Sequence, residues 1–172
     1  NISLKASNAI GSSSVTKERA LIVTNDDSKN GLSFSKETSK VTLTNTPTTL
    51  NEFTIEFWAN PAYFATNCWG FGDSEETLLL KVGNYGEMSV CINGTVVTSE
   101  IGYFISGEWN HYAIQRNSTG AIRFMRNGVL VKSYAAKYKG EITGITKFAI
   151  GGSNAPVLGV IDEFRLWNKL IT

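Results

Sequence analysis

Two-residue alternation of apolar and polar side chains dominates this sequence, and no long segment carries helical spacing in its place. In FTIEFWANP (53–61), Phe53, Ile55, Phe57 and Ala59 fall on one face of a strand. Thr54, Glu56, Trp58 and Asn60 fall on the other, and Pro61 ends the pairing. TLLLKVG (77–83) is a short apolar run, and EMSVCIN (87–93) alternates with Met88, Val90 and Ile92 together and Cys91 opposite. WNHYAIQRN (109–117), KFAIGG (147–152) and GVIDEFRLW (159–167) add further strands. AIRFMRNGVLVKSY (121–134) reads as a hairpin, because Asn127-Gly128 tolerates the positive φ angles of a two-residue turn. Short strands separated by Gly, Asn, Ser and Thr turns predict an all-β sandwich.

A chain of 172 residues supports one main core. Sixteen basic and fifteen acidic side chains, with no basic cluster, give no electrostatic handle for nucleic acid. No apolar run approaches the roughly 20 residues that cross a bilayer, and the first residues lack the features of a signal peptide. A mature segment of a longer exported protein fits these facts equally. Cys68 and Cys91 lack zinc-site spacing and form either a disulfide or two thiols.

The first 24 residues read as two strands around an Ala9–Ser14 turn, with Ile2, Leu4 and Ala6 matched by Ala20 and Ile22. A hairpin alone is marginally stable. This segment resembles the last two strands of an immunoglobulin-like, PKD-type domain, and residues 25–30 form a polar linker.

Residues 31–172 resemble the laminin-G-like, concanavalin-A-like lectin/glucanase superfamily, a two-sheet antiparallel jelly roll. GLSFSKETSKVTL, FTIEFWANP, EWNHYAIQRNSTGAIRFMRNGVLV and FAIGGSNAPVLGVIDEFRLWNKLIT carry the resemblance. It implies that Trp58, Trp109 and Trp167 are core residues and that His111 serves packing or hydrogen bonding. It also implies a structural calcium near Asp162, the only ligand carried over. Many members place Asp-Gly after the first strand, where this chain has Ser35-Lys36, and calcium needs six or more oxygens.

Strict alternation in GVIDEFRLW puts Val160, Asp162, Phe164 and Leu166 on one face and Ile161, Glu163, Arg165 and Trp167 on the other. Asp162 then sits among apolar side chains, which requires a hydrogen-bonded structural acid, a metal ligand or a site residue. No strand carries two carboxylates on one face, as glycoside hydrolysis requires. His111 lacks the partners of a nucleophilic triad. Asn93-Gly94-Thr95 and Asn117-Ser118-Thr119 match the glycosylation acceptor pattern and ordinary turn chemistry alike.

Sugars stack on aromatic rings, so aromatics away from core positions are the candidate ligand contacts. These are Trp69, Tyr63 and Phe71 in the loop AYFATNCWGFGDSEE, with Tyr85 and Tyr103 on neighbouring loops. A Cys68–Cys91 bond would pin that loop beside Trp69. The expectation is a non-catalytic recognition or attachment module on an extracellular or virion surface, with a glycan or surface polysaccharide as ligand. The rival is a building block of a phage capsid, tail or surface filament that contacts neighbouring domains or subunits, and a glycoside hydrolase ranks third.

Overall fold

The structure is a computed structural model that describes residues 2–8, 11–17, 31–43, 46–63, 68–73, 77–136, 139–152 and 156–171. All regular elements among them are strands. In chain order these are β1 (Ile2–Asn8), β2 (Gly11–Lys17), β3 (Leu32–Phe34), β4 (Lys40–Thr42), β5 (Thr49–Leu50), β6 (Phe53–Pro61), β7 (Cys68–Gly72) and β8 (Leu78–Val82). They continue with β9 (Met88–Ile92), β10 (Thr95–Thr98), β11 (Asn110–Arg116), β12 (Ile122–Arg126), β13 (Val129–Tyr134), β14 (Ile142–Thr143), β15 (Ala149–Gly151) and β16 (Gly159–Trp167). No helix among the described residues is long and apolar enough to cross a membrane.

Two six-stranded antiparallel sheets run in the orders β10-β9-β8-β7-β15-β4 and β13-β12-β11-β6-β16-β3, with β14 and β5 as a separate short pair. The predicted two-sheet sandwich is therefore present. The sheets meet through their apolar faces. Phe53, Ile55, Phe57 and Ala59 of β6 are buried, as are Leu78, Leu80 and Val82 of β8 and Met88, Val90 and Ile92 of β9. Phe57 lies 4.7 Å from Phe71 across the interface, and Phe164 stacks on both at 5.9 and 5.7 Å. Each such side chain contributes roughly 1.5–3 kcal/mol by leaving water.

Turn chemistry closes the hairpins as the sequence predicts. Asn127 and Gly128 adopt φ 50° and 77°, and Asn93 and Gly94 adopt φ 45° and 78° between β9 and β10. Asn117 Oδ1 accepts from Ala121 N–H at 2.9 Å and from the Thr119 hydroxyl at 2.8 Å, so both acceptor-pattern asparagines serve turns.

Two expectations need correction. Strand β2 of the first hairpin already begins at Gly11, which pairs with Asn8, so Gly11–Ser14 belongs to the second strand and not to a turn. Its register pairs Ile2, Leu4 and Ala6 with Lys17, Val15 and Ser13; Ala20 and Ile22 lie outside the described residues. The ladder also separates the cysteines. Cys68 pairs with Val82 and Cys91 with Leu79, with β8 running between their strands. Two strand spacings put their Cα atoms roughly 10 Å apart or more, beyond the reach of a Cys68–Cys91 disulfide.

Candidate functional site

Three of the predicted ligand aromatics are core residues. Trp69, Phe71 and Tyr103 are each fully buried. The segment that reads as a loop becomes strand at Cys68, and an irregular register between Cys68 and Phe71 seats Trp69 at φ 55°. Its indole packs edge-on to Phe104 at 5.0 Å and donates to the Tyr63 carbonyl at 3.2 Å. The Tyr103 hydroxyl donates to the Met125 carbonyl at 2.7 Å. Tyr63 and Tyr85 are exposed, as expected, but neither lines the pocket described next. Asp73 is buried, and its Oδ1 accepts from Thr77 N–H at 2.9 Å and Leu78 N–H at 3.3 Å.

The open aromatic surface lies instead on the outward face of the β6 sheet. Burial of Phe57 and Ala59 turns Trp58 outward, where it is 40% exposed. Cross-strand pairing places His111 of β11 on one side of it and Asp162 of β16 on the other. The Trp58 and His111 rings are 5.4 Å apart. Trp58, Trp109, Asp162 and Glu163 line a shallow pocket of about 200 Å³. Trp58 and Trp109 are thus not the core residues that the family resemblance implied.

A β-bulge builds the acidic wall. β16 spends two residues between Asp162, opposite Trp58, and Arg165, opposite Glu56, whereas β6 spends one. Glu163 takes φ 50° as the extra residue, and its N–H donates to Asp162 Oδ1 at 2.8 Å. The bulge reverses the expected faces. Phe164 turns into the core beside Phe57 and Phe71, while Asp162 joins Arg165 and Trp167 on the outward face. Asp162 is therefore only partly buried, and the problem of a lone carboxylate in an apolar environment disappears.

Glu56 organises the rest of this face. It accepts from Trp167 Nε1 at 2.9 Å, lies 3.5 Å from His111 Nε2 and 3.6 Å from Arg165 Nη1. Arg165 also donates to Glu163 Oε2 at 3.0 Å. The C-terminal segment covers the far part of the face, where Thr54 donates to the Lys169 carbonyl at 3.0 Å and Gln115 to the Ile171 carbonyl at 2.5 Å. The pocket is left open beside it.

The residues around Asp162 fit calcium poorly. Indole rings form two of the walls, one Asp162 oxygen holds a backbone N–H and Glu163 is paired with Arg165. Among the described residues no three His, Cys, Asp or Glu side chains converge as a metal site. An indole platform flanked by acceptors is suited to an uncharged or cationic ring with an apolar face and hydroxyl or amine donors.

Comparison with solved structures gives the same fold. The CBM40 module of a Ruminococcus gnavus IT-sialidase, bound to α2,3 sialyllactose, aligns with a TM-score of 0.66 at 15% identity, over 83% of this chain and 91% of that one. Domain 4 of AbnA, an extracellular arabinanase of Geobacillus stearothermophilus in complex with arabinotriose, aligns at 0.63 and 18%, over 100% and 78%. The heptameric SAP-like pentraxin of Limulus polyphemus aligns at 0.65 and 16%, over 81% and 76%. No curated protein sequence matches the chain. The model of one family covers residues 35–172, and the chain belongs to that family, the concanavalin A-like lectin/glucanases superfamily.

Proposed function

We propose that this domain is a non-catalytic glycan-binding module of a secreted or surface protein, and that it takes a sugar ring on Trp58 and Trp109 with Asp162 and Glu163 as acceptors. The observation that carries the reading is the pocket itself, in which two indoles and two carboxylates converge on the open part of a rigid sheet face. The sugar ligands of the Ruminococcus and Geobacillus domains support it, since both have this fold.

The arrangement of acids argues against hydrolysis. A glycosidase sets two carboxyl groups on opposite sides of the bond it cleaves. Here Asp162 and Glu163 are consecutive residues of one bulge, and Glu163 is paired with Arg165.

A glycan array probed with the chain and with Trp58→Ala, each with and without calcium, tests the proposal. Binding by the parent chain that is lost in the variant is the expected result. Silence from the folded parent would overturn the proposal and favour the role of a building block in a larger assembly. Calcium-dependent binding would restore a metal at Asp162.

A further inference from the structure

We infer that this pocket prefers sugars bearing a protonated amine, such as glucosamine units, over neutral or acidic sugars; the inference rests on the glycan reading above. The first argument is charge. Asp162, Glu163 and Glu56 bring three carboxylates to this face, and Arg165 is the guanidinium among them. That guanidinium is directed at Glu56 and Glu163, at 3.6 and 3.0 Å, and among the described residues no ion pair neutralises Asp162. Lys169 is drawn away over the Trp167 ring, 5.8 Å from its centroid. A carboxylated sugar in the pocket would meet like charge, which opposes binding.

The second argument is the indoles. The face of a tryptophan ring carries negative potential and attracts a cation within about 6 Å of its centre. Trp58 and Trp109 line the same small pocket as Asp162 and Glu163, so an ammonium group on a stacked ring would reach both kinds of attraction at once. A neutral hydroxyl gains only the hydrogen bond.

The third argument is backbone geometry. Glu163 is held at φ 50°, a left-handed conformation that a residue with a side chain rarely adopts. The bulge that requires it directly follows Asp162 and turns Phe164 into the core while Asp162 stays on the outward face opposite Trp58. Strain retained at a pocket wall is a pointer to function.

Titration calorimetry of the 172-residue chain with a β-1,4-linked glucosamine oligomer, its N-acetylated counterpart and a uronic acid oligomer tests the inference. The buffer is of low salt, at a pH where the amine is protonated. The amine oligomer should bind about tenfold tighter than the N-acetylated one, the uronic acid oligomer should bind weakest, and added salt should narrow the gap. Asp162→Asn keeps an oxygen to accept the Glu163 N–H and removes the charge, so the amine preference should fall to about twofold. Glu163→Gln provides the same comparison if Asp162→Asn does not fold. Equal or tighter binding of the N-acetylated oligomer overturns the amine preference and leaves the glycan reading in place. So does a preference that survives both substitutions. Failure of all three oligomers, together with a silent glycan array, removes both.

Discussion

Replacing Trp69 and Trp58 by alanine, one at a time, distinguishes an indole of the core from an indole of the site. Trp69 is fully buried, touches Phe104 and Phe71, and donates to the Tyr63 carbonyl. Its truncation removes that bond and leaves a cavity, at a cost of roughly 3–5 kcal/mol. With about 2–4 °C of melting temperature per kcal/mol in a domain of this size, Trp69→Ala should melt roughly 6–20 °C below the parent. Trp58 is 40% exposed, and water fills the space it leaves. Only the transfer term of its covered area is lost, about 2 kcal/mol, so the melting temperature should fall by roughly 4–8 °C, about half as much. Binding should respond in the opposite order: Trp58→Ala loses the sugar, while Trp69→Ala keeps it at temperatures where the variant is folded. Calorimetric melts and sugar titrations of the two variants measure both quantities. A Trp69→Ala protein that melts within about 3 °C of the parent would refute the buried placement of this ring.

Other consequences follow from particular contacts. Asp73 also receives the Thr146 N–H at 3.4 Å, so Asp73→Ala strands three backbone donors and should cost roughly 2–4 kcal/mol in urea unfolding, with Asp73→Asn milder. A Cβ at Gly159 would lie 2.4 Å from the Asn60 carbonyl, at φ 135°, so Gly159→Ala should destabilise by about 2 kcal/mol or more and speed amide exchange where β16 pairs with β6. Burial, followed by the neighbouring Tyr112 phenol, raises the Tyr103 hydroxyl well above its usual 10.0. The folded state keeps a proton that the unfolded chain releases near that value, so this contribution is present below pH 10.0 and is lost as pH climbs through the folded value. Tyr103→Phe should therefore lose stability less steeply than the parent across alkaline denaturation curves.

The sandwich was legible because its signals are local. Alternation in 53–61 assigned the buried face of β6 correctly, and Asn127-Gly128 specified its turn. The same alternation grouped Trp58 with Thr54, Glu56 and Asn60, and that polar company was the available signal of an outward indole. The family resemblance pointed to the core instead. The bulge at Glu163 left no comparable trace, because glutamate is not a residue that announces a positive φ, and one extra residue exchanges the faces of everything beyond it. Trp69 was misplaced for a different reason. Its burial depends on Phe104, far along the chain, so the aromatic loop in sequence gave no indication that the strand begins at Cys68.

The most direct test of the site follows the four tryptophan indole N–H signals by nuclear magnetic resonance during titration with the tightest-binding oligosaccharide from the array. The signals of Trp58 and Trp109 should shift in a saturable manner, while that of Trp69, held on the Tyr63 carbonyl in the core, should stay in place. Saturable binding that leaves Trp58 and Trp109 unmoved would contradict the placement of the sugar on this face.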